Sequence, residues 1–108
     1  MSDIIEGSGN VYADLGLSDA GEMLVKAQLA TAIGDIIAAR KLTQRRAAEI
    51  LGLTQPKLSQ LLNGRFRGIS EAKMMDCLAR LGRDVKIIVG RERPRRRTSG
   101  RVSVLQEV

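Results

Sequence analysis

A mainly helical domain closed by one short C-terminal strand is the fold class this sequence predicts, and three observations carry it. From Asp19 to about Leu81 apolar residues recur at helical spacing, broken by glycines where helices should end. Residues 85–89, VKIIV, lose that period and become β-branched, which reads as a strand. One Phe, one Tyr and no Trp leave the core to Leu, Ile, Val, Ala and Met. A chain of 108 residues supports one domain. We divide it into an acidic N-terminal arm (1–18), a helical unit with its strand (19–90) and a basic tail (91–108) expected to be disordered.

The arm mixes glycines and acids with scattered Ile4, Ile5, Val11, Leu15 and Leu17, without a period that assigns it to helix or strand. Asp19 followed by Glu22 has the spacing of a capping box, and a long helix is expected from there to about Arg40, with Leu29, Ile33, Ile36 and Ile37 on its core face. Gly34 inside that helix costs roughly 1 kcal/mol against Ala, so a neighbouring helix is expected to approach closely there. Two short helices follow in TQRRAAEILGLTQPKLSQLLNG, residues 43–64. Thr43 caps the first, Ala47, Ala48 and Leu51 form its buried face, and Gly52 ends it. In the second, Leu58, Leu61 and Leu62 make an apolar stripe and leave Gln55, Lys57, Ser59 and Gln60 outside. Pro56 leaves its start open by one residue, since either Thr54 or Gln55 can be the cap. Gly64 should close this helix, and Ser70 should cap a last one, with Ile69 and Met74 as a hydrophobic staple. Gly82 ends it. The strand then needs a partner, either the arm or the same strand of a second subunit.

Charge separates the chain into two parts. Residues 1–39 carry −5 and residues 40–108 carry +11, so the overall +6 hides a basic portion suited to a polyanion and an acidic portion suited to something else. Cys77 is the one cysteine and histidine is absent, which excludes an internal disulfide and the usual Cys/His zinc site; no cofactor or metal is expected. Lying beside Leu78, Cys77 reads as a small core residue. No catalytic constellation is visible, so neither an enzyme nor a small-molecule substrate is expected. With so few aromatic rings, stacking on single-stranded nucleic acid is a poor fit. No apolar run approaches a membrane span and the N-terminus lacks a secretion signal, so a cytoplasmic protein is expected.

The pattern of Ala48, Gly52 four residues later, then Leu58 and Leu61, resembles the helix-turn-helix of the lambda-repressor and Cro superfamily, also called the Xre type. The resemblance covers roughly residues 29–81. It implies a lambda-repressor-like DNA-binding domain, with Gln44 and Asn63 holding the phosphate backbone and Gln55, Lys57, Ser59 and Gln60 lying along the major groove. Gln55 and Gln60 are the best candidates for base reading, because a Gln amide can pair bidentately with adenine N6 and N7. Arg45, Arg46, Arg65 and Arg67 fit phosphate contacts, and the arginines of the tail fit further nonspecific ones. One such unit is too small to be selective alone, so a homodimer on a palindromic double-stranded operator is expected.

Taken with the flanking segments GSGNVYADLGLSDAGEM and GRDVKIIV, the whole sequence looks like the small Xre antitoxins related to HigA. That resemblance implies a second role, neutralising an mRNA-cleaving toxin of the RelE/HigB type while repressing the shared operon. Stand-alone or phage-derived Xre regulators look similar and remain the alternative.

Overall fold

The computed structural model describes residues 19–92 and 100–107, Asp19 in its backbone alone. The acidic arm therefore lies outside the described residues, as do residues 93–99 of the tail. Within them the chain forms α1 (Asp19–Ala39), α2 (Gln44–Leu51), α3 (Gln55–Leu62) and α4 (Glu71–Arg80). α1 packs on α3 and α4, and α2 packs on α3 and α4, so the short helices fold over a scaffold made by the longest and the last.

α1 is apolar around much of its circumference, as expected for a helix covered on more than one side. Val25, Leu29, Ile33 and Ile36 enter the core, with Ala30, Ala32 and Ile37 beside them. The C-terminal segment supplies further cover. Val102 and Val104 pack against the core, the Val104 N–H donates to Gln28 Oε1 at 3.2 Å and Gln106 Nε2 donates to Asp35 Oδ2 at 3.5 Å. Residues 100–107 thus run along α1 without regular structure. At the centre, Ile33, Leu51, Leu58, Leu61, Met74 and Cys77 are fully buried, and removing a Leu side chain from such a site typically costs about 2–5 kcal/mol. Burial pushes the Cys77 thiol up; Lys73 and Arg80 oppose that shift and Asp76 adds to it, so Cys77 packs as a neutral group.

Every helix closes with the same backbone device. The N–H of Leu42, Leu53, Arg65 and Arg83 donates five residues back, to the carbonyls of Ile37, Ala48, Gln60 and Leu78 at 3.0, 3.0, 2.8 and 3.0 Å. Such a closure puts one residue in the left-handed region. Glycine occupies it after α2, α3 and α4, whereas after α1 it falls to Lys41, with φ 55. The expected cap at Ser70 is formed, accepting from the Lys73 N–H at 3.0 Å, and Ile69 and Met74 are both buried as the staple requires.

One expectation needs correction and another is not completed among the described residues. The strand expected at residues 85–89 has no ladder there: residues 83–92 carry no regular structure, and Ile87, Ile88 and Val89 are 76%, 85% and 91% exposed. β-branched residues favour extended backbone, yet a strand exists only when a neighbour completes its ladder, and no described segment lies against this one. The close helix approach at Gly34 is absent. A Cβ there would sit 3.6 Å from Leu62 Cδ2, an ordinary van der Waals distance.

Gly34→Ala should accordingly stabilise the fold by about 0.5–1 kcal/mol, since Ala recovers helix propensity without a clash. Lys41→Gly should do the same by relieving left-handed strain of about 1 kcal/mol. Urea denaturation with an unchanged m-value checks both, and a loss of stability in either variant would contradict the geometry described.

Candidate nucleic-acid interface

The interface is built from α2, α3 and the loop that follows them. Thr43 opens α2 in extended conformation and accepts the Arg46 N–H on Oγ1 at 3.1 Å, which leaves Gln44 and Arg45 in the exposed first turn. Arg46 Nη1 reaches Glu49 Oε1 at 3.1 Å, with the two side chains 63% and 59% exposed. An ion pair that open to water contributes little, so its guanidinium can be exchanged onto a phosphate at small cost.

α3 starts with Thr54. Its hydroxyl accepts the Lys57 N–H at 3.2 Å, which resolves the one-residue ambiguity: Gln55 is the first helical residue and Pro56 lies in the first turn, where its missing N–H is harmless. Successive residues turn by about 100°. Leu58 and Leu61 face the core, so Pro56, Gln60 and Asn63 stand opposite them, with Gln55 and Ser59 on one shoulder and Lys57 on the other. Gln55 and Gln60 are exposed, and Ser59 is half-buried. The Asn63 amide donates to Ser59 O at 2.8 Å and to Ser59 Oγ at 3.2 Å, so its Nδ2 is used within the last turn of α3 while Oδ1 stays available. Lys57 is set apart. It lines a shallow cleft with Leu53, Gly68, Ile69, Ser70 and Lys73, on the side of α3 that faces the start of α4.

In the following loop Arg65 and Arg67 are exposed and Phe66 between them is buried. The chain's one phenylalanine thus pins the loop to the core while its neighbours point outward. Lys26, on α1, is 3% exposed and donates through Nζ to the Arg67 carbonyl at 2.8 Å. Three contributors escaped the sequence reading. Phe66 and Lys73 had too little local pattern around them. Lys26 did leave a signal, a lone base at the same helical register as Leu29 and Ile33.

The structure brings Gln55, Ser59, Gln60 and Asn63 together on one helix surface, places Lys57 at its edge, and leaves Gln44, Arg45, Arg46, Arg65 and Arg67 exposed on the elements either side of α3. A helix surface of uncharged hydrogen-bonding side chains, with Lys57 at its edge and basic flanks on either side, can enter a major groove and read base edges while its flanks grip phosphates.

This geometry defines a helix-turn-helix DNA-binding domain, and the comparisons agree: residues 11–90 match the family described as helix-turn-helix domain, to which the chain belongs. More narrowly, it is an Xre-type DNA-binding transcriptional regulator. A solved structure assigned to the XRE family of transcriptional regulators is 39% identical, with a TM-score of 0.76 over 83% of this chain and 100% of that one. No curated protein matched. No helix among the described residues is long and apolar enough to cross a membrane.

The cap makes a direct demand on stability and binding together. Thr54→Ala should cost about 1 kcal/mol of folding stability and weaken specific DNA binding, because Gln55 is aimed from the first turn that Thr54 fixes. Thermal unfolding and a binding isotherm on the same preparation check this; unchanged affinity would mean that the first turn of α3 does not touch DNA.

Proposed function

We propose that this protein represses transcription by binding a palindromic double-stranded operator as a homodimer, reading bases with Gln55, Lys57, Ser59 and Gln60 and holding phosphates with Gln44, Arg45, Arg46, Asn63, Arg65 and Arg67. The observation that carries this reading is the surface of α3, where uncharged hydrogen-bonding side chains are exposed between arginine-bearing flanks. Gln55 and Gln60 are the principal readers, suited to adenine, and each good bidentate pair is worth about 1–3 kcal/mol of discrimination. Dimerisation uses residues 85–89. Their exposed Ile87, Ile88 and Val89 have the composition of a strand and none of its ladder within the described chain, and antiparallel pairing with the same segment of a second copy completes it. Two α3 helices then lie about 34 Å apart, one turn of duplex.

We further propose that the regulator is a HigA-like antitoxin, which neutralises a RelE/HigB-type mRNA-cleaving toxin and represses their shared operon. The support is the resemblance of the flanking segments and the separation of charge: a toxin that grips RNA is basic, and the −5 carried by residues 1–39 complements it while the +11 beyond serves DNA. The protein is expected in the cytoplasm, on the nucleoid when bound to its operator. A stand-alone or phage-derived regulator without a toxin partner accounts equally for α3.

With an operator selected from a random-sequence duplex library, Gln55→Ala plus Gln60→Ala should lower specific affinity by at least about tenfold and leave nonspecific affinity nearly intact. Ile87→Asp plus Ile88→Asp should yield a monomer that loses operator binding while keeping its helical signal. Unaltered operator affinity in the glutamine variant would remove α3 from the reading role, and a dimeric aspartate variant would remove residues 85–89 from the interface. For the antitoxin role, the gene beside this one should encode a small basic protein that this chain binds, and deleting residues 1–18 should weaken that complex without affecting DNA binding; equal toxin affinity after deletion would free the arm of that task.

A further inference from the structure

A charged side chain in the core needs a reason, and Lys26 is the one charged residue buried as a whole among the described residues. Its ammonium donates to the Arg67 carbonyl at 2.8 Å and lies 3.5 Å from Glu22 Oε2, one turn earlier on α1. Stability alone does not account for it, because an apolar side chain of similar volume commonly replaces a buried ion pair at no loss. What an apolar chain lacks is a donor that reaches 41 residues along the sequence and fixes one particular carbonyl.

That carbonyl belongs to the loop between α3 and α4. Gly64 and Gly68 bracket Arg65–Arg67, and a Cβ at either glycine would meet nothing within 4 Å. Its path is set by contacts that include the Arg65 N–H on the Gln60 carbonyl at 2.8 Å, the buried ring of Phe66, and Lys26 on the Arg67 carbonyl. The Ile69 N–H closes a turn back onto the Phe66 carbonyl at 2.9 Å, carrying the chain on to the cap of α4. The ammonium reaches from α1, 41 residues away in sequence, to the backbone of the residue whose own guanidinium is in question.

We infer that Lys26 is a positioning residue for DNA binding: it fixes the Arg67 carbonyl, and through it directs the Arg65–Arg67 loop toward the phosphates that flank the groove read by α3. The inference rests on the phosphate role proposed for Arg67. Lys26 itself touches no DNA, so its contribution is confined to what Arg67 and its neighbours contribute.

A double-mutant cycle on operator affinity, repeated over a range of salt, tests it. Arg67→Ala alone should weaken binding about fivefold or more and make the salt slope shallower by about 0.9, the value of one phosphate contact. Lys26→Met keeps the buried stem and should give a comparable loss, with circular dichroism unchanged. When Lys26→Met is already in place, adding Arg67→Ala should cost less than about twofold, because the contact has already been lost. Additive effects would overturn the positioning role while leaving Arg67 as a phosphate contact; a silent Arg67→Ala would overturn the phosphate role and the inference with it. Should Lys26→Met fail to fold, Lys26→Arg carries the same cycle: it keeps a donor but moves it, so partial loss with incomplete additivity is expected, and strict additivity overturns the inference.

Discussion

Between α2 and α3 the chain has a single residue, Gly52, in which to reverse and only Leu53 and Thr54 before the next helix must begin. The reversal is closed by the Leu53 N–H on the Ala48 carbonyl at 3.0 Å, and it holds Gly52 at φ 68, where a side chain is strained. A Cβ would also stand 3.0 Å from Arg80 Nη1, whose side chain lies over the turn. This closure sets the angle between the two short helices, which Ala47 and Ala48 then allow to cross closely. Neither eight-residue helix is stable alone in water, so their existence depends on that crossing and on Leu51, Leu58 and Leu61 beneath it.

From this constraint the chemistry of the surface follows. Burying Leu58 and Leu61 commits the opposite side of α3 to solvent, and the sequence fills it with amides and a hydroxyl in place of charges. Apart from Lys57 at the edge of α3, charge sits on the flanks, on Arg45 and Arg46 before the turn and Arg65 and Arg67 after α3. That division matches what DNA presents: phosphates, which any base can hold, outside a groove whose edges call for paired donors and acceptors. Asn63 and Ser59 add a detail, for their mutual hydrogen bond leaves Asn63 Oδ1 as an acceptor and the Ser59 hydroxyl proton as a donor.

Local signals were well preserved in the sequence. Caps at Thr43 and Ser70, glycines past α2, α3 and α4, and the apolar registers of α2 to α4 each arise from a few neighbouring residues, so a one-dimensional reading reaches them. The Thr54 cap was harder, since Pro56 made Gln55 an equal contender until the hydroxyl was seen to accept the Lys57 N–H. Long-range facts were largely hidden. Nothing near Arg67 announces Lys26, the packing of Val102 and Val104 along α1 spans more than seventy residues, and VKIIV states a preference for extension without supplying the second strand that realises it. Gly34 misled for a related reason: low helix propensity signals a demand on space only if a neighbour fills that space, and Leu62 leaves room there for a Cβ at ordinary contact distance.

The central claim is that α3 reads sequence while its flanks hold the backbone. Amide chemical-shift perturbation with two duplexes of equal length, one carrying the selected operator and one with that sequence scrambled, measures this directly. Perturbations that differ between the duplexes should concentrate in residues 54–63, and those common to both should fall on residues 43–46 and 64–68. Operator-dependent shifts that spare α3 and appear along α1 would contradict the account.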